Sequence, residues 1–200
     1  MQHNLRDPSR DRKHGRVYRV VMDGKPMEKP VPIAARPVAE LVSLLADPTD
    51  RVRYRARIEL AGRSETEVVP AVRAWLAALD TAGVEFEHHR LEALWMLRHF
   101  DQIDVPLLEA VLGSHDPRGR AAGLRVLASI TDRVPEALDM VRRAAGDPHP
   151  RVRLEAVRTA SFLRMPEAIE TLAIAGEFPS DRFMDYVKTE AARVLEPEYQ

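Results

Sequence analysis

From Pro37 to the end of the chain, apolar residues recur three and four positions apart, and turn-forming residues interrupt them at regular intervals. That spacing lays one apolar stripe along each of a series of short amphipathic helices. VAELVSLLA (38–46), SETEVVPAVRAWLAAL (64–79) and EFEHHRLEALWMLRHF (85–100) are clear examples. The same pattern continues through VPLLEAVLG, RGRAAGLRVLASI, VPEALDMVRRAAG, RVRLEAVRTASFL, PEAIETLAIAG and DRFMDYVKTEAARVL. The series amounts to about ten helices in five pairs. Ser64, with Glu67 three residues on, predicts a capping box at the start of its helix.

The second helices of the pairs resemble one another. Asp50-Arg51-Val52-Arg53-Tyr54-Arg55-Ala56 matches Pro150-Arg151-Val152-Arg153-Leu154-Glu155-Ala156, and Pro117-Arg118-Gly119-Arg120-Ala121-Ala122-Gly123 is a looser copy. Arg90-Leu91-Glu92-Ala93-Leu94 matches Arg153-Leu154-Glu155-Ala156-Val157. Aligning Arg53, Arg90, Arg120 and Arg153 gives spacings of 37, 30 and 33, and a fifth copy puts Tyr186 at the arginine position and Thr189 at the alanine position. A two-helix repeat of this length predicts an all-α superhelix, because no unit buries its apolar stripe alone and neighbours must stack. Ala56, Ala93, Gly123 and Ala156 are then small residues that let packed helices approach. Asp47 and Asp147, each six residues before a repeated arginine, are placed to accept from the next helix's first amides and from that arginine. Val84 and Ser114 stand at this position in the other copies.

Residues 1–36 have a different character from the helical region. They hold nine Lys/Arg and four Asp/Glu, a balance of +5, whereas residues 37–200 hold 21 and 27, a balance of -6. One stretch, GRVYRVVM (15–22), predicts a strand, which must find a partner because a lone strand leaves its backbone unpaired. GKPMEKPVPIAARP, with prolines at 26, 30, 32 and 37, reads as an extended connector. The domain reading is therefore an arm over 1–36 and a helical repeat domain over 37–200.

With 30 Lys+Arg against 31 Asp+Glu, the chain does not point to general nucleic-acid binding or to an anionic membrane. No apolar run approaches the roughly 18 residues of a membrane span. The absence of cysteine excludes disulfides, thiolate chemistry, zinc–thiolate sites and covalent haem attachment within these residues. No GxSxG, GxGxxG or P-loop pattern occurs, and no catalytic constellation stands out. Two features carry candidate chemistry. Glu85, His88 and Glu92 share a helix face with metal-ligand spacing, while His88 and His89 point about 100° apart; the alternative is a helix start with one histidine packed and one solvated. Arg51, Arg53, Arg55 and Arg57 suit docking of an acidic partner or a propionate, or else turn capping and solvation. Trp75 and Trp95 fall within apolar patterns and are expected in the core.

The helix-turn-helix period and the DPxxRVRxxA pattern resemble HEAT repeats over roughly 37–200. HNLRDPSRDRKHGRVYRV (3–20), DRVRYRARIEL (50–60), EFEHHRLEALW (85–95), DRVPEALDMVRR (132–143) and HPRVRLEAVRTASF (149–162) together resemble the PVC-type haem-binding CxxCH proteins, also called membrane-bound dehydrogenase-like proteins. That resemblance implies a parent plan of a dehydrogenase-type β-propeller, a HEAT-like array and a cytochrome c domain, periplasmic or secreted. Residues 1–22 then resemble the last propeller segment with a final strand Val17–Met22, Met1 an internal methionine, and the chain a fragment. Haem c and dehydrogenase activity belong to parts outside these 200 residues, so no cofactor is expected here. The resulting expectation is a non-catalytic spacer between protein domains, with Arg53, Arg90, Arg120, Arg153, His88 and His89 as structural or interaction residues. The rivals are a stand-alone HEAT adaptor for protein partners and an enzyme using His88 and His89.

Overall fold

The computed structural model describes Lys13, Gly15, Tyr18, Val20–Gly24, Pro26 and residues 29–199, with side chains to Glu196. The chain divides into two compact units, Met1–Pro32 and Ile33–Gln200. In the first unit no strand is present among the described residues. Val17 and Arg19 of the expected strand lie outside the described residues, and its described part, Tyr18 and Val20–Met22, has no regular structure. The side chains of Tyr18, Val20, Val21 and Met22 are exposed. A strand exists only through its ladder, and no segment among the described residues supplies one.

The second unit is all-α. Its helices are α1 (Val38–Ser43), α2 (Asp50–Ala61), α3 (Glu65–Ala77), α4 (Phe86–His99), α5 (Val105–Leu112), α6 (Pro117–Leu127), α7 (Ala137–Ala145), α8 (Pro150–Ala160), α9 (Glu170–Gly176) and α10 (Arg182–Tyr199). Short 3₁₀ turns lie at Leu44–Ala46, Thr131–Arg133 and Pro166–Ile169. The even-numbered helices pack successively, α2 to α4, α4 to α6, α6 to α8 and α8 to α10. Odd-numbered helices form a second layer in which α1 meets α3 and α7 meets α9. In the first four pairs each odd helix packs on the even helix that comes after it; in the fifth, the Pro166–Ile169 turn makes the contact to α10. This is a solenoid-like stack, and its core is the run of stripes between the layers. Leu41, Leu60, Leu97, Leu108, Leu124 and Leu195 are fully buried there. Each such side chain contributes roughly 1.5–3 kcal/mol relative to exposure.

Local chemistry sets the helix starts. Asp104 caps α5 by accepting from the Leu107 amide at 3.0 Å. Asp116 caps α6 by accepting from the Arg118 amide at 2.8 Å, with Pro117 inside the first turn. The capping box at Ser64 is not formed. Ser64 stands at the N-cap of α3, but its side chain makes no cap bond; its hydroxyl pairs with that of Thr66 at 2.7 Å. The two short hydroxyls satisfy each other, leaving the first α3 amides to solvent.

The repeated small residues Ala56, Ala93, Gly123 and Ala156 are all buried. A Cβ on Gly123 would lie 3.0 Å from Leu112 Cδ2 and 3.1 Å from Val111 Cγ1, so α6 approaches α5 through the missing side chain. The fifth copy falls in a different register. Tyr186 and Thr189 are exposed, whereas Ala191 is buried and Lys188 half-buried. A spacing of 35 from Arg153 and Ala156 puts Lys188 at the arginine position and Ala191 at the small position. The longer connection through Pro166–Ile169 and α9 accounts for the two-residue shift.

Candidate functional site: the arginine-rich layer of even-numbered helices

Three of the repeated arginines brace the turn that enters their own helix. Arg53 Nη1 donates to the carbonyls of Asp47 (2.7 Å) and Pro48 (3.1 Å). Arg153 Nη1 donates to those of Asp147 (2.8 Å) and Pro148 (3.0 Å), and Arg120 Nη1 to those of Ser114 (2.8 Å) and His115 (3.2 Å). The acceptors are main-chain carbonyls rather than each turn's own aspartate. The Asp47 and Asp147 carboxylates instead accept the amides of Thr49 and His149, both at 2.8 Å. This explains why Ser114 serves as well as aspartate: a carbonyl needs no particular side chain. Arg90 departs from the others and donates to Glu87 and to the Ala110 carbonyl of α5.

Two buried carboxylates tie neighbouring repeats together: Glu92, expected as a candidate metal ligand, and Glu155, which the sequence reading does not single out. Glu92 is 1% exposed and accepts from Arg57 Nη1 at 2.6 Å, with Arg53 Nε at 3.4 Å. Glu155 is 3% exposed and accepts from Arg125 Nε at 2.7 Å, with Arg151 at 3.4 Å and Arg158 at 3.7 Å. Both stand two residues after a repeated arginine, in the Arg-Leu-Glu-Ala pattern, so their recurrence was the available signal. Arg120 reaches the next repeat too, forking onto both Asp147 oxygens at 2.7 and 2.8 Å. Burial pushes the Asp147 carboxyl up, but hydrogen bonds from Arg120 and the His149 amide outweigh it and hold it below its ordinary value. The same Asp147 hydrogen bond raises the Arg120 guanidinium.

The adjacent histidines diverge. His88 Nε2 lies 3.3 Å from Glu92 Oε1 and its Nδ1 4.0 Å from Glu85. His89 turns to the Trp75 ring, with centroids 5.9 Å apart. Burial, then the charge of His88, pull the His89 pKa below its ordinary value. Glu85, His88 and Glu92 do meet, but the Glu92 carboxylate is taken by Arg57, and no group of three such ligands fit for a metal occurs among the described residues. Trp75 and Trp95 are half-buried rather than in the core. Trp95 presents its face to the Arg57 guanidinium at 5.2 Å.

The repeat register turns these local features into a continuous surface. One row, at the first turn of successive even helices, is Arg51, His88, Arg118 and Arg151, followed by Tyr186. A second row, two turns on, is Ile58, Trp95, Arg125, Arg158 and Arg193. Neither row contains an acid. Between them run Arg55, Glu92, Ala122, Glu155 and Glu190, of which Glu92 and Glu155 are sunk below the surface. A hollow of about 300 Å³ opens between α4 and α6 where the rows flank Trp95 and Ala122.

Residues 103–196, spanning α5 and most of α10, match the family model for HEAT repeats. No curated protein and no solved structure matches the chain. Among the described residues no helix is long and apolar enough to cross a membrane. The helical unit is thus an all-α, solenoid-like stack, and its residues 103–196 are similar to HEAT repeats.

Proposed function

We propose that the chain is a non-catalytic repeat scaffold that holds other protein domains at a fixed separation. Within that reading it is a spacer in a larger secreted, dehydrogenase-like haem-binding protein, set between a propeller and a cytochrome c domain. Haem c resides on the cytochrome domain in that plan, and none is assigned to this segment. The reading rests above all on the ion pairs that join successive repeats: Arg57–Glu92, Arg73–Asp104, Arg120–Asp147 and Arg142–Glu170. Each joins residues 27 to 35 positions apart, so each resists bending between neighbours. Exposed Phe183 and Tyr186 on α10 suit the docking of a neighbouring domain.

Rigidity is directly measurable because the chain has no cysteine of its own. Spin labels at Glu40→Cys and Thr189→Cys are expected to give one narrow distance distribution. A broad distribution would remove the scaffold reading. The parent plan is tested in the gene: a propeller-coding frame continuous with the upstream side and a CxxCH-bearing domain downstream support the spacer. Their absence leaves the stand-alone adaptor, which the two basic rows favour.

A further inference from the structure

We propose that the two basic rows of the even-numbered helices form a docking groove for an extended acidic segment of a partner protein. This goes beyond the scaffold reading, since a rigid spacer stands or falls without it.

Charge segregation is the first argument. Residues 37–200 carry a balance of -6, yet the first-turn row (Arg51, His88, Arg118, Arg151) and the third-turn row (Arg125, Arg158, Arg193) are basic and free of acids. The carboxylates between the rows do not cancel them. Glu155 alone faces Arg125, Arg151 and Arg158, which leaves an excess of positive charge with about half of each arginine side chain exposed. At Glu92 the charges balance, since Arg53 and Arg57 face Glu92 and Asp50, with His88 on the open side. Arg118 and Arg193 are matched one to one, by Asp116 and Glu190, which leaves the excess on Arg125, Arg151 and Arg158.

Periodicity identifies the occupant. Packed helices lie about 8–10 Å apart, so over α6 to α10 the arginines Arg118 and Arg151 of one row and Arg125, Arg158 and Arg193 of the other recur at about that interval. A polyproline-II segment repeats every three residues at about 3.1 Å each, which is about 9 Å per turn. A carboxylate at every third position of such a segment therefore meets one arginine per repeat where the rows are basic, over α6 and α8. The rows are seven residues apart on each helix, about 10 Å at 1.5 Å per residue, a width that accommodates one extended chain between them. Nucleic acid suits the groove less well. Its phosphates recur every 3.4 Å along each strand of a duplex. A large polyanion also extends past the rows over the rest of an acidic domain.

The hollow between α4 and α6 supplies an anchor. Leu91, Trp95, Gly119 and Ala122 line it, with Arg118 and Arg125 beside them; its two carboxylates, Glu87 and Asp116, are held by Arg90 and Arg118. An aromatic side chain of the docked segment fits this hollow against Trp95, while flanking carboxylates reach the arginines. The segment's own chemistry is thus acidic at every third residue with one aromatic near its middle.

The test uses the whole chain and a labelled 13-residue peptide, proline-rich, with Glu at every third position and a central Phe. Fluorescence anisotropy is expected to show saturable binding that weakens as salt rises. The paired change Arg118→Ala/Arg151→Ala should weaken it about tenfold with helical content retained. Arg51→Ala, in a side chain at the far end of the first row, should weaken it about twofold and guards against a folding defect in the pair. The same peptide with its Glu residues made contiguous should bind at least fivefold more weakly. No saturable binding, unchanged affinity in the arginine variants, or equal binding of the contiguous peptide would overturn the proposal. So would tighter binding of single-stranded DNA of equal charge. A narrow spin-label distance alongside any of these results would leave the scaffold standing while the groove fails.

Discussion

The interface between α6 and α8 and the interface between α2 and α4 use one repeat pattern in two ways. Where α6 meets α8, main chains come close enough for the Thr159 hydroxyl to sit 3.1 Å from the Leu124 carbonyl. Ion pairs Arg120–Asp147 and Arg125–Glu155 flank that contact. Between α2 and α4 the backbones stand further apart, and Arg57, Glu92 and Trp95 bridge the gap with long side chains. Connection length explains the difference. The turn from α7 to α8 covers Gly146–His149, while the stretch from α3 to α4 runs from Ala78 to Glu85. A longer link lets α4 settle away from its neighbour, so that although Ala56 and Ala93 are small and buried, the Arg57–Glu92 pair reaches across the gap. The segment that matches the HEAT-repeat family model, 103–196, contains the close interface.

Removing the two buried carboxylates separates these interfaces most strongly. Glu92→Ala strands Arg57, which is only 24% exposed, and should cost roughly 3 kcal/mol, while Arg53 keeps its carbonyls and Asp50. Glu155→Ala releases arginines already half in water and should cost about 1 kcal/mol. Urea denaturation measures both, and equal losses would erase the distinction. Ala156→Leu tests the close packing at α8, in the α6–α8 interface. It is fully buried and should cost about 1–3 kcal/mol through overpacking; an unchanged urea midpoint would mean that no helix lies close at that position.

Two residues in left-handed backbone give a smaller contrast. Arg164 has φ 49° and an exposed side chain, so Arg164→Gly should stabilise by up to about 1 kcal/mol. Asp101, at φ 58°, also holds Arg133 at 2.8 Å, so Asp101→Gly trades relief against a lost pair and should change stability less. The smallest effect is in pH. The His89 pKa is lowered on folding, so the stability it contributes is complete above about pH 6.5 and declines as pH falls below that value. His89→Gln should flatten the slope of stability just below pH 6.5, and an unaltered slope would show that His89 does not report on this packing.

The helical fold was legible because its signals are periodic. Apolar stripes and the four arginines recur at spacings fixed by one repeat, and ten helices result from them. Features that depend on who sits across an interface were not legible. The arginines find carbonyls instead of their turn's aspartate, Ser64 pairs with Thr66 instead of capping, and α10 slips two residues. Glu92 read as a candidate metal ligand and Glu155 as a solvated helix position, because burial of a carboxylate depends on an arginine some 30 to 35 residues away. Of the basic rows, the Arg51–Arg57 cluster showed only one member, Arg51. Their continuation through Arg118, Arg125, Arg151 and Arg158 emerges only once the repeats are stacked.

Native-state hydrogen exchange, resolved helix by helix, tests the stacked-repeat account most directly. The close interface should make α6 and α8 exchange together, through one opening of the highest free energy in the chain. The bridged interface should let α1 and α2 open separately and at lower free energy. Slowest exchange in α2, or α6 and α8 opening independently of each other, would contradict it.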